Sequence, residues 1–315
     1  MASKIRPEVE KLQKNIEIVI KGKSEVVKNS LIGILAHGHV LFEDVPGVGK
    51  TTLAHLIAHS LGLSFARIQF TSDMLPSDIL GTTIYDQQKR DFEFKPGPLF
   101  ANIVLADEIN RTTPKTQSAL LEAMNSGKVS AEKQTHDLPQ PFMVLATQNP
   151  IEFHGTFPLP KSQMDRFLLR LQVGYPSPED EMTILREQRE PGNMDAVKSV
   201  MNATEMLEMQ AAVNNVKIDD DLLHYITRIV AATRNSRLIE LGVSTRGALS
   251  LRRAAQARAY YENRDFCVPD DVKTMVSPVL AHRIQAVKTF ETNGFRRHAE
   301  EDVLDQLLNE IEVPV

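Results

Sequence analysis

The stretch that decides the fold is Val40-Leu41-Phe42-Glu43-Asp44-Val45-Pro46-Gly47-Val48-Gly49-Lys50-Thr51-Thr52. Its first three residues are apolar and predict a buried strand, and residues 50–61 predict the helix after the loop. Backbone N–H groups of such a loop can close around a phosphate, and Gly47 and Gly49 permit the close approach. Lys50 supplies a positive charge and Thr51 a hydroxyl ligand for Mg²⁺. The stretch therefore predicts a phosphate site between a strand and a helix.

The loop departs from the full phosphate-loop pattern at its first residue. The pattern has glycine at position 44, where this chain has Asp44. A chance glycine-rich turn is the alternative interpretation. The strand before the loop, the helix after it and the Pro46-Gly47 dipeptide favour phosphate binding.

Four more segments predict strands beside the first one. Residues 65–70 carry β-branched and aromatic side chains, and residues 103–106 and 142–146 are continuous apolar runs. Such runs are typical of central strands in a parallel sheet that is covered on both faces. Residues 167–173 add another strand, so we expect an α/β core that extends to about residue 175.

Helical patterns lie on both sides of this core. Residues 7–20 and 24–35 predict two amphipathic helices before the first strand. After Pro178 the strand patterns vanish, and we expect an all-helical C-terminal domain. Its helices are expected at residues 182–189, 204–213, 222–234, 249–260 and 303–311. The predicted domains are therefore residues 1–195, the α/β core, and residues 196–315, the helical domain.

Two segments inside the core predict β-hairpins. Residues 84–94 turn near Lys89-Arg90-Asp91, and residues 129–138 turn near Glu132-Lys133-Gln134. The polar tips of these hairpins are candidates for contact with a partner.

Composition and charge narrow the class of protein. The chain has 315 residues, of which 42% are hydrophobic and 24% charged, as in ordinary globular proteins. Its formal net charge of −5 gives no global field that attracts nucleic acid or an anionic membrane. The first residues lack the apolar segment of a signal peptide, and no run is long enough to span a bilayer. We expect a soluble cytoplasmic protein.

The single cysteine, Cys267, has no second cysteine with which to form an internal disulfide. Its neighbours Phe266 and Val268 are apolar, and free cysteine is among the most buried residue types. We expect a core residue rather than a nucleophile.

Asp107 and Glu108 follow a predicted buried strand, at the end where open α/β sheets bind their ligands. The alternative is that an acidic pair ends the strand and favours the start of a helix. Beside the loop at Lys50, the pair predicts catalysis: Asp107 would hold Mg²⁺, and Glu108 would act as general base on the attacking water.

Asn149 follows the next apolar strand, at the same end of the sheet. Its neutral amide could bond both the γ-phosphate and the attacking water. The alternative is a turn initiator, because Asn-Pro is a common turn dipeptide. Its position at the ligand end of a strand favours the catalytic interpretation.

Two arginines are further candidates. Arg166 has only Asp165 as a nearby anion in sequence, so it forms either a surface ion pair or an arginine finger that enters a neighbouring subunit's site. Arg246 opens a helix of the C-terminal domain and could report the phosphate state of the nucleotide. Its alternative is a solvated helix face, shared with Arg252 and Arg253.

Together these residues resemble the AAA+ ATPases, and most closely the MoxR family among them, over nearly the whole chain. The most specific stretches are Gly97-Pro98-Leu99-Phe100, Leu105-Ala106-Asp107-Glu108-Ile109-Asn110-Arg111, Gln117-Ser118-Ala119-Leu120-Leu121-Glu122-Ala123-Met124, Ala146-Thr147-Gln148-Asn149-Pro150 and Asp165-Arg166-Phe167.

The resemblance implies ATP hydrolysis with ATP and Mg²⁺ as cofactors. It implies a Walker A region whose nucleotide-binding residues are Pro46, Gly47, Val48, Gly49, Lys50, Thr51 and Thr52. By the same resemblance the remaining site residues are Thr51 and Asp107 for the metal, Glu108 in Walker B, Asn149 as sensor 1, Arg166 as arginine finger, Arg246 as sensor 2 and Gly22 beside the adenine. It leaves open whether Arg246 serves its own subunit or the next. Relatives tolerate Asp44, and its carboxylate is expected to point away from the phosphates.

The resemblance also implies partners. The two hairpins match insertions that face the pore of a hexameric ring, and family members act as chaperone-like remodelling factors on protein clients. They often act beside a protein with a von Willebrand factor A domain. That domain's metal-site motif is absent from this sequence, so it would belong to a separate chain.

Two other functions stay open at this point. A nucleic-acid motor would share this ATPase core, and Lys89, Arg90 and Lys133 at the hairpin tips favour it, while the net acidity counts against it. A nucleotide switch without turnover is the other alternative. Glu108, Asn149 and Arg166 count against that one.

Overall fold

A parallel five-stranded sheet lies at the centre of the N-terminal part of the chain. The structure is a computed structural model that describes residues 5–44, 47–131, 134–149, 156–187, 197–287 and 299–314. Its strands are β1 (Val40–Glu43), β2 (Phe65–Gln69), β3 (Gly81–Asp86), β4 (Asp91–Pro96), β5 (Ile103–Asp107), β6 (Lys128–Ala131), β7 (Gln134–Asp137), β8 (Met143–Gln148), β9 (Leu169–Leu171), β10 (Ile239–Leu241) and β11 (Gln285–Ala286).

The helices surround this sheet and continue beyond it. They are α1 (Pro7–Glu17), α2 (Ser24–Leu35), α3 (Lys50–Ser60), α4 (Pro76–Leu80), α5 (Pro114–Ser126), α6 (Lys161–Met164), α7 (Pro178–Glu187), α8 (Ala203–Asn214), α9 (Asp220–Asn235), α10 (Thr245–Tyr261), α11 (Pro269–Leu280) and α12 (Ala299–Glu310). Short 3₁₀ helices cover Ile109–Arg111 and Ala281–Arg283.

The sheet has the strand order β2-β5-β8-β1-β9, and every neighbouring pair is parallel. Alternate residues face opposite sides, as the two-residue period of a strand requires. Ile103 and Leu105 pack into a core with the N-terminal helices and the C-terminal domain, whereas Val104 and Ala106 pack into a second core with α5. Burial on both faces explains why these strands are continuous apolar runs.

The five predicted core strands are confirmed, and so is the helix after the loop. Both hairpins are also confirmed as antiparallel pairs, β3 with β4 and β6 with β7. The first hairpin is longer than predicted, because its pairing extends from Asp86 and Asp91 back to Gly81 and Pro96. The tip residues Glu132 and Lys133 of the second lie outside the described residues.

The C-terminal part is helical as predicted, but the expectation that strands vanish there is corrected. Ile239 and Leu241 of β10 pair with β11 in a small antiparallel sheet, whose strands of two and three residues are too short to leave a sequence pattern. Helix α11 is also absent from the predicted helices. The predicted domain boundary at 195 lies outside the described residues and stays a prediction.

Three further observations concern the sequence predictions. Cys267 is buried as predicted, and burial raises the pKa of its thiol to about 12. Helices α1 and α2 pack against the sheet and the C-terminal domain, with an ion pair of 2.6 Å between Lys28 Nζ and Glu262 Oε1. Within the described part of the chain, every helix is too short or too polar to cross a membrane.

The junction between the two parts contains a buried histidine. His282 is fully buried and its Nε2 lies 3.0 Å from the carbonyl oxygen of Phe167, just before β9. Burial, helped by the positive charge of Arg283, lowers the pKa of His282 well below its usual value. The folded protein therefore holds this imidazole neutral.

This burial predicts a loss of stability in acid. The unfolded chain binds a proton near pH 6.5 and the folded one only at lower pH, so His282 should cost about 1.4 kcal/mol of unfolding free energy per pH unit below that value. Denaturant unfolding at about pH 6.5, 6 and 5 gives the unfolding free energy at each pH. Its slope against pH should be shallower for His282→Gln than for the unaltered protein. The exposed His224→Gln is the control, and equal slopes in all three proteins would contradict the prediction.

Candidate active site

A cavity of about 410 Å³ opens at the edge of the sheet where the strands end. Parallel strands bring their carboxyl ends to one edge, so the segments after β1, β2, β5 and β8 meet there. The lining residues are Asp44, Gly47, Gly49, Lys50, Thr51, Thr52, Arg67, Gln69, Asp107, Glu108, Thr147, Gln148 and Asn149.

The glycine loop forms one wall of this cavity. Gly47 and Gly49 have φ values of 83° and 88°, a left-handed conformation that favours glycine. A Cβ built on either residue meets no atom within 4 Å, so the loop faces open space. Gly49 is the N-cap of α3, whose first N–H groups can donate hydrogen bonds to an anion. Val48 packs partly against the core, and Pro46 lies outside the described residues.

Lys50 is the first residue of α3 and is only 9% exposed. Its Nζ donates to the backbone oxygen of Asp44 at 3.0 Å, across the loop. Burial lowers the pKa of Lys50, and the carboxylates of Asp44, Asp107 and Glu108 oppose that shift. The ammonium group therefore lies between the loop and the acidic pair.

Asp44 uses its carboxylate outside the loop. Its Oδ2 accepts from the backbone N–H groups of Val173, at 2.7 Å, and Gly174, at 2.6 Å. These two residues follow β9, so Asp44 joins the loop to the segment that leads to α7. A glycine at this position would leave both donors without that acceptor.

Thr147 connects the acidic pair to β8. Its hydroxyl donates to Asp107 Oδ1 at 2.6 Å and accepts from the backbone N–H of Glu108 at 2.8 Å. Glu108 has φ 58° and ψ 49°, a left-handed conformation that costs a non-glycine residue about 1–3 kcal/mol. The Thr147 hydroxyl accepts from the backbone of this strained residue.

Arg67 and Gln69 of β2 contact the carboxylates of Asp107 and Glu108 from the side opposite to β8. Arg67 Nη2 lies 2.7 Å from Asp107 Oδ2, and Gln69 Nε2 donates to Glu108 Oε2 at 2.8 Å. The Nε of Arg111 lies 3.2 Å from the same Glu108 oxygen. The sequence predictions miss these side chains, although the two-residue period of β2 puts Arg67 and Gln69 on one face.

The donor set fits Mg²⁺. Thr51 supplies a hydroxyl and Asp107 a carboxylate, and both line the same cavity. Mg²⁺ prefers oxygen ligands and usually binds through one or two protein groups together with substrate phosphates. The ion pair with Arg67 occupies one oxygen of Asp107, so a metal ion would compete with that arginine.

Asn149 lines the cavity immediately after β8, and its backbone oxygen accepts from Asn110 Nδ2 at 3.4 Å. Gly22 is not among the described residues that line the cavity. It lies between α1 and α2 with φ 67°, and a Cβ there would lie 1.9 Å from Asp180 Oδ2 of α7. The next residue, Lys23, donates to the backbone oxygen of Tyr175 at 2.6 Å.

The two predicted arginines lie elsewhere. Arg166 and Arg246 both line a second cavity, of about 510 Å³, with Arg253 and His39. His39 directly precedes β1 and Arg166 precedes β9, so this cavity lies where the strands begin, at the opposite edge of the sheet. Arg166 Nη1 donates to the backbone oxygen of Leu121 at 2.7 Å. Asp165 pairs instead with Arg283, at 2.7 Å.

Two family models match the chain, one over the α/β core and one over the helical C-terminal part. The ATPase family associated with various cellular activities (AAA) matches residues 39–169, and the AAA lid domain matches residues 231–307. The uncharacterized protein YeaC of Bacillus subtilis is 44% identical over 311 residues, 99% of this chain and 96% of its own. Chaperone MoxR1 of Mycobacterium tuberculosis is 41% identical over 278 residues, which cover 85% of this chain and 73% of the relative. The chain belongs to the MoxR family of AAA+ ATPases.

The fold matches a solved structure over nearly the whole chain. A solved structure from Cytophaga hutchinsonii, described as that of a candidate ATPase, superposes with a TM-score of 0.88 at 37% identity. The superposition covers 98% of this chain and 95% of the solved chain. The α/β core and the helical lid of this MoxR protein therefore have the family arrangement.

The contacts of Asp44 predict that a glycine at this position lowers stability, although the phosphate-loop pattern alone favours glycine there. Asp44→Gly restores the first glycine of the loop pattern, yet it should lower the unfolding free energy by about 2 kcal/mol, because the N–H groups of Val173 and Gly174 lose their acceptor. Asp44→Asn keeps one acceptor oxygen and should lose less. Urea unfolding measures both, and an Asp44→Gly protein as stable as the unaltered one would contradict the assignment.

Proposed function

We propose that this MoxR protein hydrolyses ATP to ADP and phosphate at sites shared by adjacent subunits of a homo-oligomeric, hexameric ring. One observation carries the proposal. The cavity with Lys50, Asp107 and Glu108 and the cavity with Arg166 and Arg246 lie at opposite edges of one sheet. A ring of like-oriented subunits brings such opposite surfaces together.

The residues at the strand ends bind the nucleotide. The loop N–H groups at Gly47 and Gly49 cradle the phosphates, and Lys50 balances their charge. Thr51 and Asp107 hold Mg²⁺, which would neutralise charge on the phosphate oxygens. Gly22 and its neighbours border the adenine in this proposal.

Glu108 takes the proton from the attacking water. The water oxygen bonds to the γ-phosphorus while the bond to the bridging oxygen of ADP breaks, and Asn149 orients the water. The hydrogen bond from Gln69 and the ion pair with Arg111 both hold Oε2 of the Glu108 carboxylate in place.

The arginines of the second cavity complete the neighbouring site. Arg166 enters as the finger and Arg246 binds the same nucleotide in trans. An arginine finger is worth about 10³ to 10⁵ in rate, or about 4 to 7 kcal/mol of barrier. The position of Arg246 beside Arg166 favours action in trans over action in its own subunit.

Hydrolysis would drive the remodelling of protein clients in the cytoplasm, beside a separate chain with a von Willebrand factor A domain. The β3–β4 hairpin supports this role, because Tyr85 and Phe92 are 53% and 70% exposed and their rings contact each other. Phe94 of the same hairpin stacks on His136 of β7 at 4.0 Å, which links the two hairpins. An exposed aromatic pair suits an unfolded polypeptide.

A nucleic-acid motor has less support. Lys89 at the first hairpin tip lies 3.3 Å from Glu93 and 3.9 Å from Asp86, and Lys95 lies 3.2 Å from Glu93. These pairs offset the charge of Lys89 and Lys95, which a phosphate backbone would need.

Mixing two inactive variants tests the shared site. Glu108→Gln should bind ATP but lose turnover by about 10²- to 10⁴-fold, and Arg166→Ala should lose about 10³- to 10⁵-fold. Each variant keeps the half-site that the other lacks, so a mixture should regain phosphate release. Arg252→Ala, on the exposed side of α10, is the control with full turnover. A mixture that gives only the sum of the two residual rates would contradict the shared site.

The hairpin role predicts a separate effect. Phe92→Ser should leave basal ATP hydrolysis unchanged and weaken both the binding of a chemically unfolded model protein and its stimulation of turnover. Arg90→Ser, also at the hairpin, is the matched control and should bind as well as the unaltered chain. Equal binding by Phe92→Ser and the unaltered chain would contradict the role.

A further inference from the structure

Asp165, next to Arg166, is bound from the C-terminal lid by two side chains. Arg283 Nε lies 2.7 Å from its Oδ1, and Ser244 Oγ donates to its Oδ2 at 3.0 Å. Ser244 is the N-cap of α10 and accepts from the N–H of Gly247 at 3.1 Å. One carboxylate therefore joins the segment that carries Arg166 to the start of the helix that carries Arg246.

Arg283 extends this link along the backbone before β9. Its Nη2 donates to the oxygens of Asp165, at 3.1 Å, and Phe167, at 2.5 Å, and its Nη1 donates to Leu168 at 3.2 Å. The side chain also donates to the oxygen of Val279 and to Ser250 Oγ, both in the lid. A planar guanidinium fixes the relative orientation of all these groups.

Burial makes this arrangement costly unless its partners stay in place. Arg283 is 4% exposed, and burial lowers its pKa to about 10, so it remains charged at neutral pH. A buried charge that loses its partners destabilises a protein strongly. Filling the same space needs no charge, because an apolar side chain of similar volume often stabilises a protein equally well. The contacts with Asp165 and the carbonyl groups specify a geometry as well as filling space.

The lid also contacts the other edge of the sheet through β9. Arg170 of β9 forms ion pairs with Glu301 of α12 and, at 2.9 Å, with Glu43 at the end of β1. Glu43 in turn accepts from Gln148 at 2.7 Å, and Gln148 lines the nucleotide cavity. The lid is therefore bonded near both edges of the sheet.

We propose that Arg283 is a positioning residue that locks Arg166 and Arg246 into one unit, so that the lid of each subunit sets the geometry of the active site in the next. This inference rests on the proposed shared site. A displacement of the lid that follows nucleotide turnover moves both arginines together relative to the neighbouring phosphates.

The substitution Arg283→Lys tests this role. It keeps the charge beside Asp165 and loses the planar contacts with Phe167 and Leu168, so turnover should fall about 10- to 10²-fold. Binding of a fluorescent ATP analogue should be unchanged, because the subunit's own nucleotide cavity is intact. Asp165→Asn, which keeps the side-chain shape, gives the same test if Arg283→Lys does not fold.

Mixing with Glu108→Gln separates a positioning role from a structural one. Glu108→Gln subunits carry an intact Arg283 and Arg166, so they should restore turnover in Arg283→Lys subunits. Arg264→Lys weakens a bidentate pair with Asp271 at 2.6 Å that lies wholly within the lid, and it should keep turnover. If Arg264→Lys loses as much turnover as Arg283→Lys, then lower stability of the lid explains both losses, and the inference is overturned.

The outcomes distinguish this inference from the proposed function. If Arg166→Ala regains activity in the mixture and Arg283→Lys does not, the positioning role is wrong and the shared site stands. If neither regains activity, the shared site is wrong and the inference falls with it. Full turnover by Arg283→Lys alone also overturns the inference.

Discussion

All five strands of the central sheet run in one direction, and this constraint divides the functional side chains between two edges. The segments that follow β1, β5 and β8 carry Lys50, the acidic pair and Asn149, so these residues meet at the ends of the strands. The segment that precedes β9 carries Arg166, which therefore lies at the opposite edge. This separation is the basis for our proposal that each active site is shared by adjacent subunits of a ring.

Hydrogen bonds fix the positions of Asp107 and Glu108 at the edge where the strands end. Thr147 fixes Asp107 and the strained backbone of Glu108, while Arg67 and Gln69 occupy oxygens of both carboxylates. These contacts hold both carboxylates in fixed positions at one wall of the cavity. Strained residues held by a dense set of contacts are common where a site changes state.

Local patterns in the sequence predict much of this structure. The strands, the helix after the loop, both hairpins and the cluster at Lys50, Asp107 and Asn149 follow from apolar periodicity and from the rule that parallel strands end at one edge. The bonds of Arg283 to Asp165 do not, because they join residues 118 positions apart, and their specificity comes from burial that one sequence does not display. Asp44 is similar, since its acceptor role depends on Val173 and Gly174. Helix α11 contains Pro278, a residue that usually ends a helix, and so its pattern is easily missed.

A cryo-EM structure of the Glu108→Gln variant with MgATP would show whether adjacent subunits share each active site. We expect a closed ring in which the Arg166 guanidinium of one subunit lies about 3 Å from the γ-phosphate bound at Lys50 of the next. Arg246 of that same donating subunit should lie beside the same nucleotide. A ring in which both arginines are remote from every phosphate, or a monomer that completes its own site, would show that the active sites are not shared.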